Sequence, residues 1–265
     1  MPVKKYKATK FQSNSYSEVN DTLSVEALLN ISINQVPFSI TMRSPGNEFE
    51  LIRGLLFSEG IVTQSDAKLS YNIVSKNSDG IIDTIDVQID TAFLDREFSG
   101  DRNLASVSSC GLCGKTELIE SEFKTMKDTL YRVSSNQINE MFIEMSKHQL
   151  DFSQSGGVHA AAAFDHQANL MIAMEDIGRH NAVDKVVGHL IDHTLLSKAK
   201  ALLVSGRISY EISSKAAQAG FEVLASVSAP SSLAVDYCHE HGITLLAFCR
   251  EHKHTVYSHS FRLEN

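Results

Sequence analysis

Residues 201–250 read ALLVSGRISYEISSKAAQAGFEVLASVSAPSSLAVDYCHEHGITLLAFCR, and their alternation decides the fold class. ALLVS (201–205), EVLAS (222–226) and ITLLAFC (243–249) are short apolar runs of strand type. Between them, Ile208–Ala219 and Leu233–His241 carry apolar residues at helical spacing and are closed by Gly220 and Gly242. Strands alternating with helices predict a mostly parallel sheet with helices on its faces. Upstream, Val183, Val186, Val187, Leu190 and Ile191 mark another helix. GGVHAAAAF (156–164) and LMIAM (170–174) flank the turn DHQAN as a strand pair, and Ile138, Met141, Phe142 and Met145 lie on one helix face.

In an open parallel sheet, ligands sit beyond the carboxyl ends of the strands. Those ends are Glu175–Asn181, Ser205-Gly206-Arg207, Ser228–Ser232 and Cys249-Arg250, which gather Gly, Ser, Arg and His on one rim. Three of the four run into helix N-termini, whose free N–H groups favour phosphate oxygens, so a phosphate-bearing ligand suits this rim. His180 is placed for ligand contact. Arg207 is open between ligand contact and a structural ion pair.

Further out, the N-terminal part reads as strands around one helix. ALLNISI (27–33) and VPFSITM (36–42) flank a turn at Asn34-Gln35 and predict a hairpin. Asn47 with Glu50 resembles a capping box, ahead of Phe49, Leu51, Ile52, Leu55 and Leu56 on one face of a helix that stops by Gly60. LSYNIVS and IIDTIDVQID meet across Asp79-Gly80. Ile85, Val87 and Ile89 alternate there with Asp86, Gln88 and Asp90, the period of a half-exposed strand. The polar stretch 94–109 closes this part. The expected organisation is α+β overall: a β-rich segment 1–107 with one helix, a cysteine loop and following helix at 108–129, and an α/β segment 130–265.

The 265 residues are 43% hydrophobic and 21% charged, an ordinary globular balance with a net charge of −8. That charge argues against non-specific nucleic-acid binding, which comes mainly from Lys and Arg neutralising phosphates. Residues 1–21 are basic and polar without an apolar core, and no run approaches the ~20 apolar residues of a membrane span. A soluble, cytoplasmic protein is expected. Four cysteines, at 110, 113, 238 and 249, are too few for a disulfide scaffold and are expected to be reduced thiols.

CGLCGK (110–115) is the sharpest chemical feature, a C-x-x-C flanked by Gly111 and Gly114, next to Lys115 and ahead of a helix carrying Leu118, Ile119, Phe123 and Met126. A helix N-terminus or nearby cation stabilises thiolate, the reactive form. Three readings stand open here: sulfur or redox chemistry, a zinc knuckle, and a pair of buried thiols. Zinc would need further ligands, with His159 the obvious third. A zinc deaminase carries a glutamate two residues after its ligand histidine, where this chain has Ala161, and its cysteine pair follows rather than precedes that histidine; both features argue against deaminase catalysis. Cys238 reads as a small apolar residue within a helix. Cys249, beside Arg250, is open between a structural and a site role.

Several segments in order carry a resemblance: MRSPGNEFELIRGLLFSEGI (42–61), SVSSCGLCGK, GGVHAAAAF, EDIGRHNAVDKVVG, SGRISYEISSKAAQAG, SAPSSLAVD and AFCR. Together they resemble the formate dehydrogenase accessory family FdhD/NarQ over nearly the whole chain. That resemblance implies a sulfurtransferase. It would accept sulfane sulfur from a cysteine desulfurase and pass it to the bis(molybdopterin guanine dinucleotide) form of the molybdenum cofactor, as needed for active formate dehydrogenase. It implies Cys110 as the persulfide-forming residue, Cys113 as its partner, and a cofactor-binding stretch at Phe248, Cys249, Arg250, Glu251, His252 and Lys253, with Gly206 and Arg207 on the same rim. It also implies a homodimer, a cytidine-deaminase-like three-layer C-terminal domain and no tightly bound cofactor, the molybdenum cofactor being a substrate that a guanine nucleotide can mimic. Family members often have a glycine soon after the arginine matching Arg250, whereas Glu251-His252 stand here. The competing expectation is a non-catalytic cofactor chaperone whose C-x-x-C is a zinc clip.

Overall fold

The computed structural model describes residues 3–94 and 131–264. Cys110, Cys113, the helix expected after them and both expected segment boundaries lie outside the described residues. The described chain opens with β1 (Val3–Gln12) and β2 (Ser15–Ser24), an antiparallel hairpin paired with no other strand among the described residues. It then forms β3 (Ala27–Ile33), β4 (Val36–Arg43), α1 (Glu48–Ser58), β5 (Leu69–Lys76) and β6 (Ile82–Ile89), with sheet order β4-β3-β6-β5. Asn34 and Gln35 both take positive φ (49° and 69°), as a two-residue hairpin turn between twisted strands requires.

Leu51, Ile52 and Leu56 of α1 pack with Leu29, Ile31, Ile85 and Val87 to make the core under this sheet. Two local expectations are corrected. Asn47 is itself left-handed (φ 56°) and caps no backbone N–H of α1; its side chain reaches only Glu50 Oε1, at 3.4 Å. Asp86, expected on an exposed face, is buried, because it accepts the Ser32 hydroxyl and, at 2.8 Å, the Gln35 N–H that close the β3–β4 turn.

The second half comprises β7 (Val133–Ser134), α2 (Ser135–Lys147), α3 (Leu150–Ser155), β8 (His159–Phe164), β9 (Leu170–Asp176), α4 (Arg179–Asp192), β10 (Ala201–Val204), α5 (Tyr210–Gln218), β11 (Val223–Ser226), α6 (Ser232–His241), β12 (Thr244–Arg250), β13 (Lys253–Ser258) and β14 (Leu263–Glu264). Six strands form one sheet in the order β13-β12-β11-β10-β8-β9. The sheet is mixed rather than mostly parallel: β10/β11 and β11/β12 run parallel, whereas β8/β9, β8/β10 and β12/β13 run antiparallel. Among neighbouring strands of this sheet, only those joined through α5 and α6 have the long crossover that parallel pairing needs; α4 joins β9 to β10 across the intervening β8, and β8–β9 and β12–β13 are joined by tight turns. β13 follows β12 and forms the edge of this sheet.

Residues on alternate sides of these strands enter two cores. Ala161, Ala163, Leu202, Val204, Leu224 and Leu245 pack under α4, α5 and α6, and Ala160, Ala162, Leu203, Ala225 and Leu246 pack under α2. The result is three layers, helix on sheet on helix. α2 begins with a complete capping box between Ser134 and Gln137.

The two halves meet where α1 crosses α4 at two glycines. A Cβ at Gly54 would fall 1.9 Å from the Asp184 carbonyl oxygen, and one at Gly188 1.9 Å from that of Glu50. Two buried ion pairs flank the crossing. Lys185 meets Asp176 at 2.8 Å, and Asp176 also accepts the Ser44 N–H from β4's end at 3.1 Å. Lys215 meets Asp184 at 2.6 Å, and Asp184 accepts the Ser58 hydroxyl at 2.9 Å. Among the described residues no helix is long and apolar enough to cross a membrane.

Candidate functional site

The rim is assembled by strand direction. β8 runs antiparallel to β10, so His159 at its start lies beside Ser205-Gly206-Arg207 at the end of β10, and the ends of β9, β11 and β12 reach the same edge. Gly206 is needed for this close approach: a Cβ there would sit 3.1 Å from His159 Nδ1 and 3.4 Å from the Arg179 Cβ. Ser205 Oγ accepts the Ala160 N–H at 2.9 Å and Ser226 Oγ donates to the Gly206 carbonyl at 2.6 Å, which pins neighbouring strand ends together.

A cavity of about 480 Å³ opens at this edge on the α2 side. Phe142, Met145 and Phe152 form its apolar wall, and His159, Ser205 and Arg250 supply the polar groups. A mostly apolar hollow with a few converging polar groups suits a flat heterocycle carrying an anionic arm. Burial, together with Arg179 and Arg207, lowers the His159 pKa, so the imidazole is neutral and the positive charge comes from the arginines. Arg179 Nε is buried without a hydrogen-bond partner. His180 meets Ser209 Oγ at 3.2 Å, and burial with Lys215 and Arg179 pulls its pKa down to about 4. It is thus half-committed to the protein rather than free for ligand.

The stretch 248–253 forms the β12–β13 turn at the same rim. Phe248, Glu251 and His252 take positive φ (56°, 49° and 61°), and Phe248 and Lys253 are exposed. Arg250 alone of the six lines the cavity, with its Nε donating to the Val227 carbonyl at 3.2 Å. Cys249 differs from its neighbours in orientation. Its side chain points into the core under α2, because its neighbours Phe248 and Arg250 take the outward positions of the strand. Arg207 is exposed and makes no described ion pair, and Gly206 is buried.

Burial pushes the thiols of Cys238 and Cys249 up to about 12. Cys238 is the small core residue that its helical setting predicted. Among the described residues no three His, Cys, Asp or Glu side chains cluster as a metal site. The sequence places Arg179 on the rim within Glu175–Asn181 without singling it out, whereas the α2–α3 wall was missed, α3 being too short to announce itself.

A sequence model of the FdhD/NarQ family matches residues 24–264, which span both sheets and the rim. The chain belongs to the FdhD/NarQ family. It is 38% identical over 254 residues to "Sulfur carrier protein FdhD" of Mycobacterium tuberculosis, covering 92% of each chain. It is 33% identical over 270 residues to the protein of that name from Sulfolobus acidocaldarius, covering 100% of each. Among solved structures, a Desulfotalea psychrophila chain provisionally described as a formate dehydrogenase accessory protein superposes with a TM-score of 0.78 at 22% identity, over 100% of both chains, so the fold is shared.

Proposed function

We propose that this chain is a sulfur carrier acting in the maturation of formate dehydrogenase. In this reading it takes sulfur from a cysteine desulfurase as a persulfide on Cys110 and delivers it to the bis(molybdopterin guanine dinucleotide) form of the molybdenum cofactor. The observation that carries the reading is the fate of the other thiols. Cys238 and Cys249 are buried and held protonated, with pKa values pushed up to about 12. In this reading the sulfur carrying for which the relatives are named runs through the two remaining thiols, Cys110 and Cys113. The Cys110 thiolate attacks the outer sulfur of the donor's persulfide. The donor's S–S bond breaks, its cysteine leaves as thiolate, and Cys110 keeps the sulfur without net oxidation.

The rim supports the delivery half. The apolar wall of Phe142, Met145 and Phe152 can take a guanine or pterin ring beside Arg250, and Arg207 with the N-termini of α4, α5 and α6, at the same sheet edge but outside the cavity lining, would meet its phosphates. Phe248, Glu251, His252 and Lys253 are the edge of that site; Cys249 contributes backbone only. The helix–sheet–helix layering supports a cytidine-deaminase-like architecture for the second half, and a homodimer in the cytoplasm completes the reading. Formate dehydrogenase activity in cells lacking their own FdhD tests it. Wild type, Cys238→Ala and Cys249→Ala should restore activity and Cys110→Ala should not. Full activity from Cys110→Ala would overturn the assignment.

A further inference from the structure

The two helices that wall the rim cavity are held in different ways. α2 is anchored by the buried Ile138, Met141 and Met145. α3 buries none of its six residues: Phe152, which lines the cavity, is 47% exposed and Leu150 is 66% exposed. A helix this short has no stability of its own in water, so its position comes from its tethers. At its start the Glu175 carboxylate, from β9, accepts the Asp151 and Phe152 N–H groups, both at 2.8 Å. Gln149, just ahead of the helix, offers no side-chain cap, and Glu175 stands in for one across the sheet edge. At its end the Ser155 and Ser24 hydroxyls meet at 2.5 Å.

The connections on either side are those of a hinge. α3 stops on Gly156, left-handed at φ 64° with open space around its Cα, and Gly157 follows. Ahead of it, His148 and Gln149 form the turn that closes α2. Between these points lie Gln149, Phe152, Gly156, Gly157 and Val158 of the cavity lining, so a swing of α3 opens or shuts the site. A flat ring lodged in the cavity would cover the Phe152 face. That contact exists only with α3 in place, so the ring itself favours the shut position.

We propose that α3 is a hinged flap that closes over the ring in the rim cavity, with Glu175 as the positioning residue that latches it. The proposal rests on the reading of the rim as a nucleotide site. Stopped-flow fluorescence with methylanthraniloyl-labelled guanosine diphosphate tests it, with circular dichroism confirming that each variant is folded. Glu175→Ala should raise the dissociation rate about tenfold and leave the association rate within about twofold of wild type, while Glu175→Gln, which keeps one acceptor oxygen, should fall between. In a chain with Cys110 and Cys113 replaced by alanine, oxidation of Ser24→Cys/Ser155→Cys should fasten α3 and slow association and dissociation alike by about tenfold, reversed by reductant. Hydrogen exchange across residues 149–157 should quicken in Glu175→Ala and slow when the nucleotide binds. Rates indifferent to the cross-link and to Glu175→Ala, or exchange indifferent to nucleotide, would overturn the flap and leave the nucleotide site standing. Absence of binding by wild type would overturn the site reading, and the flap with it.

Discussion

Gly188→Ala places one methyl group at the closest point between the two halves. The added Cβ would lie 1.9 Å from the Glu50 carbonyl oxygen and 2.8 Å from the Gly54 nitrogen, both backbone atoms of α1. Normal van der Waals contact lies near 3.4 Å, so α1 and α4 must separate by well over an ångström. In an isolated helix the same change would help by about 1 kcal/mol. Here it competes with overpacking of about 1–3 kcal/mol or more. Because α1 also carries the fully buried Leu51, Ile52 and Leu56, its displacement opens the first core as well. A net loss of about 2–4 kcal/mol is expected, a fall in melting temperature of roughly 4–16 °C for a chain of this size. Urea and thermal unfolding followed by circular dichroism measure both. Since α4 starts at Arg179 on the rim, nucleotide binding should weaken too. A variant as stable as wild type, or more so, would refute the close crossing.

The His180 imidazole, lowered from 6.5 to about 4 chiefly by burial, is favoured neutral by the fold. The unfolded chain gains that proton below about pH 6.5 while the folded chain waits until about 4, so stability falls across this window by about 3 kcal/mol at its acid end. His180→Asn should flatten that fall in denaturant titrations from pH 7 to 4, and an unchanged slope would contradict the shift. Arg207→Ala should weaken guanosine diphosphate binding about tenfold, the worth of a charged contact, in calorimetric titration, while leaving persulfide formation intact. Unchanged binding would move the site off this rim. Metal analysis should find no stoichiometric zinc; one zinc per chain, lost together with folding on Cys113→Ala, would favour the clip.

The elements legible in the sequence were those whose periodicity and burial agree. Ile85, Val87 and Ile89 alternate and are buried, and the α4 residues Val183, Val186, Val187 and Leu190 recur at helical spacing and face the sheet. The β1–β2 hairpin was not legible, because an arm with no buried face leaves no hydrophobic period in VKKYKATKFQ. Strand β13 was hidden for a similar reason: KHTVYS alternates, but its outer positions are as polar as a loop. Asp176, Asp184, Lys185 and Lys215 look like solvated charges in one dimension, and only tertiary contact turns them into buried pairs. At the site, strand order alone located the rim and Gly206. The side wall from α2 and α3 depends on how those helices lie over the sheet edge, which no local pattern encodes.

The central claim is that sulfur travels on Cys110. Incubating the chain with a cysteine desulfurase and cysteine, then mapping peptides by mass spectrometry, tests it directly. The account predicts one added sulfur atom, about 32 Da, on the peptide containing Cys110, abolished by Cys110→Ala and absent from the peptides containing the buried Cys238 and Cys249. Sulfur found on Cys238 or Cys249, with Cys110→Ala still accepting it, would contradict the account.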